Sequence, residues 1–282
     1  MRTNNLHTWL IQARQRLSAF SETPELELQV LAAHELGQTR TWVIAHPALE
    51  LTYQQEGHLN AMLDQLIQGV PLPYLTGRCE FYGLSFHVSP QVLIPRPETE
   101  LLVDNALQWL KDHPHRRCVA DVGTGSGIIG VTLAHLVPGV SIVATDISAE
   151  ALEIARENAN AHQLEDRIQF MHGDLLHGVS AHFDLICANL PYIPAKTLTK
   201  LSVARHEPRI ALDGGPDGLD QIQRLVANAE QWITPGGMML MEIESSQGES
   251  APSLARKYHP NAQISVQEDL SGHPRLLTIQ WN

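Results

Sequence analysis

The feature that most constrains this chain is a glycine-rich turn, Asp121-Val122-Gly123-Thr124-Gly125-Ser126-Gly127, wedged between a short apolar run at 118–122 and an apolar helical pattern at 127–136. Glycines at the end of a strand let the backbone turn tightly and come close to a ligand with no side chain in the way. A plain strand-to-helix turn has no need of three alternating glycines after an acid. Further strands are predicted at 141–145, 168–171, 183–188 and 238–242, with helices over 98–111, 149–161 and 219–232. Alternation at this spacing builds a parallel sheet covered on both faces. The runs at 263–266 and 275–280 have no obvious helix between them and predict an antiparallel edge hairpin.

The first part of the chain follows a different pattern. Leu6, Trp9, Leu10, Ala13 and Leu17 recur at helical spacing. Thr23-Pro24 offers an N-cap followed by proline at the first helical position, and Leu59, Met62, Leu63, Leu66 and Ile67 mark another helix ending at Gly69. With no strand signal and no chemistry, residues 1–70 are expected to be a small helical bundle. The stretch 71–97 is punctuated by Gly and Pro; its runs at 79–82 and 84–88 flank Gly83 and predict a hairpin in a linker. The domain carrying the chemistry is then 98–282.

Charge and cysteine usage narrow the function. With 19 basic and 31 acidic residues the formal charge is −12, which repels phosphate backbones at long range and disfavours a protein that wraps bulk nucleic acid. Cys79, Cys118 and Cys187 stand far apart without a C-x-x-C pair, as expected of free thiols in a reducing compartment. The first residues are too polar for a secretory signal, and no apolar run approaches the roughly 18 residues of a membrane span. The expectation is a cytoplasmic protein with no membrane partner. The chain has 15 histidines, but His34-Glu35 lacks the second His of an H-E-x-x-H site and no other spacing suggests ligands, so no metal is expected.

Two cofactors compete for the glycine turn. Gly125-Ser126-Gly127-Ile128-Ile129-Gly130 fits the dinucleotide fingerprint, and Asp146 follows about 20 residues on, near the ribose-binding position. The loop by itself does not separate NAD from S-adenosyl-L-methionine. Two other features favour the latter. Asp121 stands where a carboxylate could face a cationic ligand but would repel a pyrophosphate. Gly173-Asp174-Leu175 then follows the third strand and offers an acceptor for an adenine amino group. In this reading Asp121 and the Gly123–Gly127 backbone, with Thr124 and Ser126, hold the methionine portion. Asp146 accepts the ribose hydroxyls, and Asp174 with the Leu175 backbone meets the adenine. Acids at three successive strand ends lie on the side where open α/β sheets bind ligands.

After the fourth strand comes Ala188-Asn189-Leu190-Pro191-Tyr192-Ile193-Pro194. The motif resembles the Asn-Pro-Pro-Tyr of methyltransferases that act on planar NH2 groups, either adenine N6 or a glutamine amide. An amide lone pair is delocalised, so two acceptors aimed at its N–H bonds favour rehybridisation and orient the lone pair. The Asn189 side-chain oxygen and the Leu190 carbonyl are the candidates, at the border of cofactor and substrate, with Pro191 shaping the turn and the Tyr192 ring packed on the flat amide. Leu190 stands where that motif usually has proline; a backbone carbonyl survives the change, while loop rigidity falls. The sequence Asn-Leu-Pro-Tyr also resembles ribosomal RNA adenine dimethyltransferases, which keeps an adenine-N6 methyltransferase acting on RNA or DNA as the alternative.

Two more segments favour glutamine. Phe81-Tyr82-Gly83 with Leu93-Ile94-Pro95-Arg96-Pro97-Glu98-Thr99-Glu100, and Glu207-Pro208-Arg209-Ile210-Ala211-Leu212-Asp213-Gly214-Gly215 with Asp217-Gly218-Leu219, resemble the release-factor glutamine methyltransferases (the HemK/PrmC family) along the whole chain. The resemblance implies a Rossmann-like α/β methyltransferase domain with a mostly parallel seven-stranded sheet and a small N-terminal helical domain that docks the partner. It also implies a methyl donor, S-adenosyl-L-methionine, leaving as S-adenosyl-L-homocysteine, and a substrate, the glutamine of the Gly-Gly-Gln motif in class I peptide chain release factors. Arg96 and Glu98 enter the catalytic domain where they could border that substrate, though Pro97 with Glu98 and Glu100 also makes an ordinary helix start. A monomer is expected. A non-enzymatic S-adenosylmethionine-binding module is a further alternative, but it has no need of Asn189 and Tyr192.

Overall fold

The structure is a computed structural model that describes residues 4–282; residues 1–3, where the expected bundle and the polar N-terminus begin, lie outside the described residues. The chain divides into two compact units, Met1–Arg78 and Cys79–Asn282.

The first unit is helical. Helix α1 (Leu6–Leu17) buries Leu6, Trp9, Ala13 and Leu17, the stripe expected from their spacing, and is capped by the Asn5 side chain. Helix α2 (Pro24–Leu36) starts with proline at its first position. Thr23 takes the N-cap place there but makes no side-chain capping bond. Helix α3 (Arg40–Ala45) is too short to show a periodic pattern and was not expected. Helix α4 (Tyr53–Ile67) opens on a reciprocal capping box between Thr52 and Gln55. Helix α5 (Leu72–Thr76) falls inside the stretch read as linker and packs within this unit.

The boundary between the units falls after the first residue of the hairpin β1 (Arg78–Phe81) and β2 (Leu84–His87), whose Phe81 and Phe86 are buried in the core of the sheet domain. Then follow α6 (Glu100–Asp112), β3 (Cys118–Val122), α7 (Ile128–Leu136), β4 (Ser141–Asp146), α8 (Ala149–Ala161), β5 (Ile168–His172) and β6 (Phe183–Ala188). The chain closes with α9 (Ala195–Leu198), α10 (Asp220–Ala227), β7 (Ile233–Glu242), α11 (Ser250–Tyr258), β8 (Gln263–Glu268) and β9 (Pro274–Gln280). Seven strands form one sheet in the order β5-β4-β3-β6-β7-β9-β8; only β9 pairs antiparallel, with both β7 and β8.

Alternate strand residues face opposite cores, as the period of two requires. Val119, Ile142, Leu185, Cys187 and Leu240 join α6 and α7 on one face. Ala120, Val122, Ile186, Ala188, Met239 and Met241 join α10 and α11 on the other. Further elements of this unit differ from expectation. The helix read at 219–232 is broken after Ala227, where Asn228 leads into a 3-10 turn at Ala229–Gln231. Strand β7 begins five residues before the predicted 238, because a register shift opposite Phe183 and Leu185 accommodates Pro235-Gly236-Gly237. Helix α11 was not expected, since it is short and carries Pro252 in its first turn.

The strand order reverses between β3 and β6, which run to neighbours on opposite sides. The carboxyl ends of the strands beside such a reversal leave a crevice in open α/β sheets.

Candidate active site

The glycine loop between β3 and α7 is held by its neighbours. The Gly123 and Thr124 amides each donate to the Thr145 carbonyl at 2.9 Å, and the Gly125 amide donates to Asp146 Oδ2 at 2.8 Å. Asn158, buried in α8, donates to the Ser126 carbonyl at 2.8 Å and also binds both backbone groups of His87. Gly127 has φ +85°, and a Cβ there would lie 3.2 Å from the Ala155 Cβ, so this loop–helix contact requires glycine.

Asp121 belongs to the same scaffold and not to the cavity it supports. It is fully buried, and its Oδ2 accepts from Thr124 Oγ1 at 2.6 Å and from the Gly130 amide at 2.9 Å. The expectation that its carboxylate faces the ligand is corrected here, because the side chain turns under the loop. Burial pushes its carboxyl up to about 6, partly offset by those two hydrogen bonds.

A cavity of about 500 Å³ opens at the carboxyl ends of β3, β4, β5 and β6. Gly123, Thr124, Gly125 and Ser126 form one wall, with Asp146, Asp174 and Leu175 beside them. Asn189, Leu190 and Pro191 line the cavity from the end of β6, and Arg96 lines it as well. The structure thus brings most of the expected site residues to one cavity. It leaves Asp121, Gly127, Glu98 and Tyr192 out of the lining. Asp146 is held by the Gly125 and Ser148 amides, which leaves further lone pairs on both carboxylate oxygens. Asp174 forms an ion pair with Arg224, a cavity residue with no sequence motif to mark it. Leu175 is buried at φ +53°, a backbone that costs energy for a branched side chain and fixes its peptide at the cavity edge.

The loop after β6 is also held from outside. Ile193 exchanges hydrogen bonds with Leu212 and Gly214, the Ala195 amide donates to Gly215, and Gln247 Nε2 donates to the Tyr192 carbonyl at 3.0 Å. The 207–219 segment is therefore the scaffold of this loop. Glu207, buried, joins it to the other wall by accepting from Arg96 and from the Ile94 amide. The Leu190 side chain is buried against the glycine loop, its Cδ2 only 3.0 Å from where a Gly123 Cβ would stand.

Two residues missed in the sequence complete the site. Asn189 Nδ2 donates to Thr99 Oγ1 and to Glu242 Oε2, each at 3.0 Å. Thr99 donates to the same Glu242 oxygen at 2.6 Å, while the Tyr192 hydroxyl donates to Oε1 at 2.9 Å. Burial raises both the Glu242 carboxyl and the Tyr192 phenol. The visible signal was an acid ending the apolar strand Met238-Met239-Leu240-Met241-Glu242, where a solvated end or a buried partner were equally open.

Comparison with known proteins identifies the family of the chain. Residues 98–206 match the family model of the methyltransferase small domain, and residues 8–77 match that of the PrmC N-terminal domain. A release factor glutamine methyltransferase of Moorella thermoacetica is 41% identical over 267 residues, covering 94% of each chain. That of Deinococcus radiodurans is 38% identical over 275 residues, covering 96% of this chain and 97% of its own.

The chain belongs to the release factor glutamine methyltransferase family.

Among solved structures, the hMettl16 catalytic domain in complex with an RNA hairpin aligns with TM-score 0.55 at 15% identity, over 83% of this chain and 84% of that one, a likeness of fold. As a member of this family the chain is an S-adenosylmethionine-dependent methyltransferase. The cavity residues fit that cofactor. Asp146 offers carboxylate lone pairs beside the glycine loop, and a Cβ added at Gly125 would meet no atom within 4 Å, so the loop backbone is open to a ligand.

Proposed function

We propose that this family member transfers the methyl group of S-adenosyl-L-methionine to the side-chain amide nitrogen of the glutamine in the Gly-Gly-Gln motif of class I release factors. The observation that carries the reading is that Asn189 and Leu190 line the same cavity as the glycine loop, in a chain 41% identical to a release factor glutamine methyltransferase.

When bound, the cofactor supplies an electrophilic methyl on a sulfonium. The residues supply orientation. The Asn189 Oδ1 and the Leu190 carbonyl accept the two N–H bonds of the incoming amide, turning its lone pair toward the methyl position. The proton released after transfer goes to solvent. Asp146, Asp174 and the Leu175 peptide hold the nucleoside, while Gly123–Ser126 hold the methionine portion. Tyr192, whose hydroxyl is bound to Glu242 and which lies outside the lining, supports Asn189 in place of stacking on the substrate. Arg96, held by Glu207, borders the substrate side of the cavity. The helical unit, with Phe20 and Ile44 exposed, docks the release factor, and the enzyme acts as a monomer in the cytoplasm, where its substrate works.

The test is to incubate the enzyme and labelled cofactor with release factor, with its Gln→Asn variant, and with ribosomal RNA. Label on the release factor and on neither control is expected; label on RNA alone would establish the adenine alternative. Asn189→Ala lowers kcat by about 10²–10³-fold with cofactor Kd unchanged, as for loss of one transition-state hydrogen-bond partner.

A further inference from the structure

An asparagine amide has two orientations of nearly the same shape, and only one of them presents an oxygen to an incoming NH2 group. Inside the protein the choice rests on what binds the far side of the amide. Here the Asn189 NH2 group is turned toward two acceptors on one side, Thr99 Oγ1 and Glu242 Oε2, each at 3.0 Å. Thr99 spends its own hydrogen on Glu242 and so meets Asn189 with a lone pair. Tyr192 spends its hydrogen on the other carboxylate oxygen. An ionised carboxylate only accepts, so a flipped amide would aim its carbonyl at Glu242 and repel it.

We propose that Glu242, acting with Thr99, is a positioning residue that sets the polarity of the Asn189 amide, so that Oδ1 and not the NH2 group faces the methyl acceptor. Glu242 is 1% exposed and lies outside the cavity lining, so it acts through the residues bonded to it, Asn189, Thr99 and Tyr192. The inference rests on the amide-methylation reading above.

It has a consequence in pH. The groups facing Glu242 are Tyr192 from the β6 loop, Thr99 and Glu98 from the segment entering α6, and Arg275 on β9. Arg96 also acts on Tyr192. Burial, with Glu98 adding to it, raises the carboxyl, while Thr99, Tyr192 and Arg275 oppose the rise. Protonation turns one acceptor into a donor and removes the reason for the amide to point one way. Activity therefore falls on the acid side, beginning above the ordinary carboxylate range.

The experiment measures kcat, KM for release factor, cofactor Kd and the kcat–pH profile for wild type, Glu242→Gln, Thr99→Val and Thr99→Ser. Glu242→Gln keeps one acceptor and replaces the other with a donor, so the network no longer holds the Asn189 amide to one orientation; kcat is expected to fall by about 10²-fold, with KM and Kd within about twofold and the acid limb gone. Thr99→Val is expected to lose about tenfold in kcat, and Thr99→Ser to recover most of it. Wild-type kcat and an unchanged acid limb in Glu242→Gln would overturn the proposal. So would losses in Thr99→Ser equal to those in Thr99→Val, or losses of cofactor affinity that track kcat. Wild-type enzyme that leaves release-factor glutamine unmethylated would instead sink the functional reading, before any variant is compared.

Discussion

Asp121 has one carboxyl oxygen bonded to Thr124 and Gly130, while its other oxygen is buried with no hydrogen-bond partner among the described residues. Its paired residue across the sheet is Cys187, whose thiol burial also pushes up. A buried carboxyl of this kind favours the protonated form, so its pKa rises from 3.8 to about 6. The sign follows from linkage: the unfolded chain ionises first, so the stabilisation is complete below about 4 and is lost as pH rises through about 6. The loss is on the order of 3 kcal/mol for a shift of this size. Denaturant unfolding of wild type and Asp121→Asn at pH 4 and pH 8 checks this. The wild type should lose more stability across that interval than the variant, and equal slopes would refute the assignment. At the same scale, the expectation that Asp121 meets the cofactor's cationic end came from its position two residues before Gly123, which says where the Cα lies but not which side of the loop the carboxylate takes.

Between elements, two glycines separate the two halves of the site. Gly127 packs the start of α7 against Ala155 of α8 at φ +85°. Gly218 has φ +82°, and a Cβ there would fall 2.1 Å from the Tyr192 carbonyl oxygen, a backbone atom that yields only if the β6 loop moves. Gly127→Ala is therefore expected to weaken cofactor binding by at least about tenfold and to destabilise the domain by about 1–3 kcal/mol. Gly218→Ala displaces Asn189 and Leu190 instead; kcat should fall at least about tenfold while cofactor Kd stays within about twofold. Isothermal titration for Kd and single-turnover methylation for the chemical step distinguish the two. Both glycines were visible as motif members in the sequence. What each of them touches was not, because Ala155 and Tyr192 reach them through the packing of distant elements.

As a whole the molecule has separate cores. Leu6, Trp9, Leu28, Leu31, Leu59 and Leu63 fill the helical unit, whereas every residue lining the cavity belongs to Cys79–Asn282. Leu31, fully buried, can therefore be truncated without touching the cofactor site. Leu31→Ala is expected to cost the helical unit about 2–5 kcal/mol, seen as faster amide hydrogen exchange in α1, α2 and α4, with cofactor Kd unchanged. If that unit docks the release factor, KM for the protein substrate rises while the Kd of the cofactor holds. A matching loss of cofactor affinity would show that the two units do not hold their stability separately.

The alternation of strand and helix, the glycine turn after β3, the acids at the ends of β4 and β5 and the Asn189–Tyr192 turn were all legible in the chain, because each is written in residues a few positions apart. Local geometry decides them: a period of two, a period of 3.6, a positive φ. The partners of those residues were not legible. Asn189 meets Thr99 across 90 positions and Glu242 across 53, and Thr99 meets Glu242 across 143. No local rule selects a hydrogen-bond partner at that separation; the sheet order does, by setting the end of β7 beside the end of β6 and bringing the segment before α6 to both. The sequence by itself determined which chemistry stands at each strand end, and only the tertiary structure decided which way the Asn189 amide points.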